Sequence, residues 1–176
     1  MKRSPVASES YAARESIQTL IQRLNAQPEP DDPLERGHSR ASAAKALGSL
    51  GDPVAVPVLI DALKDPNYVC VCAASALAKI KHPDAIEPLI AVLEDANSFW
   101  VPRGAAAVAL GQLGEIARPA LPALEAALQY SCDDSGEKWD LRAREAVEDA
   151  ILHITDPTAR CSLKGRGSRF EMWGIY

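Results

Sequence analysis

Cysteine, histidine and carboxylate side chains are the groups of this sequence that could bind a metal. Cys70 and Cys72 form a Cys-x-Cys pair. Structural zinc sites use at least two intervening residues, with further cysteines or histidines nearby. On a helix, two residues separated by one position point about 200° apart, because each residue advances by about 100°. We therefore predict no metal site at this pair.

No catalytic motif accompanies these residues. The sequence has no glycine-rich phosphate loop, no His-Glu-x-x-His motif and no nucleophile elbow. The remaining cysteines and histidines do not cluster in the sequence; they are Cys132, Cys161, His38, His82 and His153. We predict no catalytic residue and no metal ligand.

The composition indicates which partners are compatible with the chain. Hydrophobic residues make up 47% of its 176 residues, but aromatic residues only 5%, which favours a core of aliphatic residues between closely packed helices. The net charge is −5; four basic residues and one acidic residue lie from Arg160 onward, which leaves −8 for residues 1–159. Nucleic-acid binding requires clustered lysine and arginine, so this acidic body argues against it.

The sequence also predicts a location in the cell. It has no apolar window of about 18 residues that could span a membrane. The N-terminal cations are followed by no apolar stretch of the kind found in secretory signals. The four cysteines have no disulfide-framework spacing, so we expect reduced thiols in a cytoplasmic protein.

Two interleaved phrases repeat along the chain. AVPVLIDAL at 55–63 is nearly repeated as AIEPLIAVL at 85–93, with apolar residues at the i, i+3, i+4, i+7 spacing of an amphipathic helix. The second phrase occurs as RASAAKALGSLGDP (40–53), CVCAASALAKIKHP (70–83), RGAAAVALGQLG (103–114) and REAVEDAILHITDP (144–157). Its copies are 30 to 41 residues apart, the range of two-helix repeats.

The repeat pattern predicts the architecture. A single helix pair cannot bury both faces, so stacked pairs form a continuous core. Gly51 and Gly114 are expected C-caps, and Asp52-Pro53 is an expected helix start. We predict an all-α, right-handed α-solenoid of about eight helices. The expected helices are 9–25, the pairs 38–50/53–64, 68–81/84–94 and 100–113/118–130, and a last helix 137–155.

The chain is predicted to have three parts. Residues 1–37 would contain an N-terminal capping helix and an acidic linker, 38–157 the repeat domain, and 158–176 a basic, aromatic tail. Over 38–157 the repeated phrases resemble HEAT repeats of the phycobilisome-lyase HEAT-like family. That resemblance implies a ladder in which arginines from first helices meet aspartates from the turns between repeats. Arg40, Arg103 and Arg144 occupy the arginine position, with Asp65 and Asp95 as available partners, and Cys70 replaces the arginine in the second repeat.

Stacked pairs would place the second helices along a concave side. The non-core positions of those helices are mostly acidic, which predicts a shallow, extended surface for a protein partner rather than a small molecule. These positions are Asp61, Lys64, Glu87, Ala91, Glu94, Glu125 and Gln129. We assign Asp61, Glu87, Glu94 and Glu125 to protein binding.

Two further segments contain candidate binding residues. The insertion QYSCDDSGEKWDLR (129–142) contains Trp139, which either packs onto the final helix or contacts a partner. The tail KGRGSRFEMWGIY (164–176) combines arginine with aromatic residues, a combination typical of interface hot spots. It either covers the open end of the solenoid or lies on a partner. Its candidate residues are Arg169, Phe170, Trp173 and Tyr176.

These observations lead to two functional hypotheses. The residues themselves favour a non-catalytic scaffold or assembly factor that binds another protein, with no nucleic acid, membrane span or required cofactor. The family resemblance implies an alternative: a subunit of a bilin lyase, or a factor in phycobilisome assembly or degradation. Under that alternative a bilin would be bound, and the partner would be a phycobiliprotein or a second HEAT-repeat subunit. No residue is assigned as a bilin ligand.

Overall fold

The described residues of the chain are helical. The computed structural model describes residues 17–26, 33–65, 68–95, 100–130 and 141–156, and within these ranges it contains no strand. Its α-helices are α1 (17–25), α2 (Pro33–Leu50), α3 (Val56–Ala62), α4 (Tyr68–Ile80), α5 (Ile86–Glu94), α6 (Trp100–Leu113), α7 (Leu121–Tyr130) and α8 (Leu141–Thr155). The predicted all-α class is confirmed.

One helix boundary differs clearly from the prediction. Helix α2 begins at Pro33, whereas the sequence pattern predicted a start near residue 38. A proline suits the first turn of a helix, because the first N–H groups have no intrahelical partner. Part of the expected acidic linker is therefore helical. The division of the chain into three parts stays a prediction, and the expected helix starts at 9 and 137 lie outside the described residues.

The helices pack in the order that a solenoid requires. The first helices of successive pairs contact one another, α2 with α4, α4 with α6, and α6 with α8. Each second helix packs on the first helix of the next pair: α3 on α4, α5 on α6, and α7 on α8. Each pair is thus covered by its neighbour, and the predicted α-solenoid of HEAT-like pairs is confirmed.

Leucines at matching repeat positions form the core. The first helices contribute Leu47, Leu77 and Leu110, and all three are buried. The second helices contribute Leu59, Leu89 and Leu124, which are also buried. Because each leucine removes a full apolar side chain from water, each contributes on the order of 2 kcal/mol relative to an exposed position.

Small residues allow first helices to approach closely. A methyl group added at Gly48 of α2 would lie 2.6 Å from the Cα atom of Ala76 on α4. One added at Gly111 of α6 would lie 2.9 Å from the Cα atom of Ala150 on α8. Ala76 and Ala150 are small residues at matching positions of the repeated phrase. The glycines opposite them complete these contacts.

The turn within each pair uses a left-handed residue followed by a 3₁₀ segment. Gly51 has φ of 69° and Gly114 has φ of 66°, which confirms the predicted C-caps. Lys81 occupies the same position in the second pair with φ of 56°. The 3₁₀ segments are Pro53–Ala55 and Pro83–Ala85, which come after Gly51 and Lys81, and Gly114–Ala120, which begins at Gly114.

Two of these segments are capped by the residue before the proline. Asp52 accepts a hydrogen bond at Oδ1 from the Val54 N–H, at 2.9 Å. His82 occupies the equivalent position and accepts one at Nδ1 from the Asp84 N–H, at 3.3 Å. Each side chain thereby satisfies a donor at the start of the segment.

Candidate functional site

Arg40 joins three helices at one edge of the stack. Its Nη1 and Nη2 atoms donate to the two carboxylate oxygens of Asp65, at 3.0 and 2.6 Å. Its Nε atom donates to the Leu24 carbonyl, at 2.7 Å. Arg40 lies on α2, Leu24 on α1, and Asp65 follows α3. The Arg40–Asp65 rung expected from the family resemblance is confirmed.

Arg103 repeats the carbonyl contact of this arrangement. Its Nε atom donates to the Leu93 carbonyl, at 2.9 Å, as Arg40 does to Leu24. Burial lowers the pKa of Arg103, and the Asp95 carboxylate opposes that change. Because Leu24 and Leu93 accept equivalent bonds, α1 occupies the place of a second helix ahead of the first complete pair.

Arg144 makes a different ion pair. Its Nε atom donates to Glu148 Oε1 at 3.0 Å, within helix α8. Glu148 lies one turn further along the same helix, whereas the residues four positions after Arg40 and Arg103 are alanines. The Arg144–Glu148 contact therefore has no equivalent four residues after Arg40 or Arg103.

Cys70 lies in the arginine position of the second repeat as a buried thiol. Burial, with the nearby Asp65 carboxylate and Cys72, raises its pKa to about 11. Cys70 and Cys72 are both free and buried. Within the described ranges, no group of three metal-ligating side chains comes together. The neutral thiol at Cys70 packs as a small apolar side chain.

Cys72 has different neighbours from Cys70. Lys45 donates a hydrogen bond from Nζ to the Tyr68 hydroxyl, at 3.1 Å, which raises the pKa of Lys45. Burial raises the pKa of Cys72, while the Lys45 charge and the Tyr68 hydroxyl oppose that change. The charged group that shifts the pKa thus differs between the two thiols: Asp65 for Cys70 and Lys45 for Cys72. Neither has the lowered pKa of a nucleophilic cysteine.

The exposed acidic positions of the second helices form the best candidate for a binding surface. The side chains Asp61, Glu87, Glu94 and Glu125 are all exposed. Together with Lys64, Ala91 and Gln129, which are also exposed on or just after α3, α5 and α7, they form a surface that we name the second-helix face. Lys64 contacts Asp61 at 3.1 Å, and the other charged members are acidic.

A partly exposed apolar strip accompanies these acids. Ile60 on α3 and Ile90 on α5 occupy the same repeat position, and Ile21 occupies it on α1. All three are half-buried rather than fully buried. In AVPVLIDAL and AIEPLIAVL, Ile60 and Ile90 belong to the apolar i, i+3, i+4, i+7 set, so that set includes a partly exposed position. Helix α7 has the exposed Glu125 at this position, and that charged residue is the sequence signal that the position lies next to water.

The first helices offer less exposed surface in the centre of the stack. Every residue of α4 from 69 to 78 is buried. Among the described residues of α4, only Tyr68 and Lys79 are exposed. The second helices therefore expose more charged side chains to a partner than α4 does.

The remaining predicted binding residues belong to the insertion and the tail. Trp139 of the insertion lies outside the described residues, as do the four tail residues Arg169, Phe170, Trp173 and Tyr176. Their assignment to protein binding stays a prediction. No helix within the described part of the chain combines the length and apolar character needed to cross a membrane.

Two family models match non-overlapping parts of the chain. The model described as HEAT repeats matches residues 68–151, which span α4 to α8. The model described as PBS lyase HEAT-like repeat matches residues 39–65, which contain most of α2 and all of α3. A search among curated proteins gives no match to the chain. Both family matches coincide with the observed helix pairs.

Proposed function

Because the chain belongs to the HEAT-repeat family, we propose that it is a non-catalytic scaffold or assembly factor that binds another protein on its second-helix face. The observation on which this proposal mainly depends is the exposure of Asp61, Glu87, Glu94 and Glu125 beside a partly exposed isoleucine strip. Such a row of exposed positions on successive helices suits an extended or helical protein segment better than a small molecule.

The charge of this face defines the complementary partner segment. Carboxylates around an apolar strip favour a segment with lysine or arginine beside apolar side chains, because opposite charges steer association and apolar contacts stabilise the complex. The tail residues Arg169, Phe170, Trp173 and Tyr176, together with Trp139, are proposed as further contacts to the partner.

Charge reversal tests this role. Glu87→Lys and Glu125→Lys change the second-helix face, whereas Glu115→Lys makes the same charge change at an exposed position in the turn after α6. Partners are captured on each immobilised variant and quantified by mass spectrometry. We expect capture of the main partner to fall at least about fivefold for the two face variants and to stay unchanged for Glu115→Lys.

Equal capture by all three variants and the unchanged chain would refute this assignment of the face. Circular dichroism of each variant checks that its helicity is intact, so that a loss of binding cannot come from unfolding. Raising the salt concentration should weaken capture by the unchanged chain, because exposed charges are screened.

The match of residues 39–65 to the PBS lyase HEAT-like repeat supports a second candidate. In this proposal the chain is a subunit of a bilin lyase, or acts in phycobilisome assembly or degradation, with a phycobiliprotein or a second HEAT-repeat subunit as partner. Titrating the purified chain with a free bilin and recording its visible absorbance provides the test. A saturable spectral change favours this candidate, and the absence of one favours the scaffold without a bilin.

A further inference from the structure

The C-terminal tail and the second-helix face have complementary chemistry. The tail segment 164–176 contains three basic residues, one acidic residue, and Phe170, Met172, Trp173, Ile175 and Tyr176. The face presents four exposed carboxylates beside half-buried isoleucines. The tail therefore has the chemistry that this face would select in a partner: cationic side chains for its acids and aromatic side chains for its apolar strip.

The length of the tail allows the two surfaces to meet within one chain. Helix α8 ends at Thr155, and it packs on α7 at one end of the face. Helix α5 packs on α7, and α3 contacts the 3₁₀ segment that leads into α5. At about 10 Å for each step along this row, α7 and α3 are separated by about 20 Å. The thirteen residues 164–176 can span about 40 Å when extended. They can therefore cross all three second helices.

We propose that, in the free protein, residues 164–176 lie across the second-helix face of their own chain and that a partner displaces them. Covalent attachment gives the tail an effective concentration in the millimolar range, which favours its own face over that of a second copy. The inference rests on the proposed function only in using the same face as the binding surface. It also defines the partner: a basic segment with aromatic or large aliphatic residues.

A photo-crosslinking experiment on the full chain locates the tail. Trp173 is replaced by p-benzoylphenylalanine, the protein is irradiated, and the crosslinked peptides are identified by mass spectrometry. We expect crosslinks to α3, α5 or α7 in the monomer, with a yield independent of protein concentration. Crosslinks confined to α8 or to the first helices would overturn the proposal, as would crosslinks that appear only between two chains.

Proteolysis measures whether the acids of the face hold the tail. Trypsin cleavage after Arg166 and Arg169 is followed by mass spectrometry, while the helical body is checked for integrity. We expect Glu87→Lys and Glu125→Lys to accelerate tail cleavage about fivefold, and the Glu115→Lys control to leave the rate unchanged. If all variants and the unchanged chain are cleaved as fast as a free peptide of residues 157–176, the tail is not docked.

These results are independent of the partner-capture test. A tail that lies elsewhere leaves the second-helix face open, and charge reversal can still abolish partner capture. Conversely, a docked tail with undiminished capture by the face variants would retain the present inference and refute the proposed binding surface. The two proposals can thus fail separately.

Discussion

Arg40 and Asp65 form a bidentate ion pair between the start of one repeat and its last turn, with N–O distances of 3.0 and 2.6 Å. Their side chains are only 18% and 23% exposed. The same guanidinium also bonds the Leu24 carbonyl. Such a pair stabilises the fold more than a surface pair does, because it is partly shielded from water and makes three directed hydrogen bonds.

Replacing Arg40 with lysine should therefore destabilise the protein. An ammonium group keeps the charge but cannot donate to both Asp65 oxygens and the Leu24 carbonyl in the same planar geometry. We expect the free energy of unfolding to fall by about 1–2 kcal/mol, measured by urea denaturation. Lys64→Ala is the control. It removes an ion pair whose side chains are 79% and 72% exposed, and should change stability by less than about 0.5 kcal/mol. Similar losses in both variants would contradict this prediction.

Gly48→Ala tests the close contact between α2 and α4. The added methyl group would lie 2.6 Å from the Ala76 Cα atom and 2.7 Å from its Cβ atom, so one helix must move. Alanine favours a helix interior over glycine by about 1 kcal/mol, but overpacking typically costs about 1–3 kcal/mol. We expect a net loss of stability by thermal and urea denaturation.

Gly111→Ala provides a graded comparison. Its methyl group would lie 2.9 Å from the Ala150 Cα atom and 3.1 Å from its Cβ atom, a less severe contact. The loss should therefore be smaller than for Gly48→Ala. Ser42→Ala, at an exposed position of α2, controls for the helix propensity of alanine. The steric explanation is wrong if Gly48→Ala is as stable as the unchanged chain.

The repeated phrases predicted most of the fold because the same physical requirement recurs in every pair. Leucines at matching positions must contact the next pair, and the turns need residues that accept left-handed or capping conformations. Leu47, Leu77 and Leu110 are buried accordingly, and Gly51 has the expected positive φ. These features depend on local spacing, which the sequence displays directly.

The carboxylate partner of each arginine and the degree of burial of each isoleucine were harder to predict. Arg40 bonds Asp65, 25 positions away, but Arg144 bonds Glu148 within its own helix. Arg144 reaches Glu148 because the two residues lie one turn apart on α8, whereas the residues four positions after Arg40 and Arg103 are alanines. The partial exposure of Ile60 likewise depends on how completely neighbouring helices cover it. Amphipathic spacing does not specify that coverage.

Lys81→Gly should stabilise the protein. Lys81 follows the last residue of α4 and has φ of 56°, the conformation that glycine supplies in the other two pairs. A side chain in that region costs about 1 kcal/mol. We expect the free energy of unfolding to rise by about that amount. The reciprocal variant Gly51→Ala should lose about 1 kcal/mol; its methyl group would contact nothing within 4 Å, so only backbone strain changes. A loss of stability in Lys81→Gly would contradict this account.

Cys70 should make stability depend on pH in the alkaline range. Burial, together with the Asp65 carboxylate, raises its pKa from 9.0 to about 11. The folded state therefore favours the neutral thiol. The stability that the neutral thiol contributes is fully present below pH 9, where the thiol is neutral in the folded and unfolded states. It is lost as the pH rises toward 11. Between about pH 8 and about pH 10.5, we expect Cys70 to lower the free energy of unfolding by about 2 kcal/mol.

The Cys70→Ala variant isolates this contribution, because Cys72 and the tyrosines and lysines titrate in both proteins. Urea denaturation at the two pH values gives the difference between the unchanged chain and the variant. Raising the pH should lower the free energy of unfolding of the unchanged chain by about 2 kcal/mol more than that of the variant. Folded Cys70 should also react slowly with iodoacetamide near neutral pH, because the thiolate is the nucleophile. A difference that does not change with pH would show that the folded state does not disfavour the Cys70 thiolate.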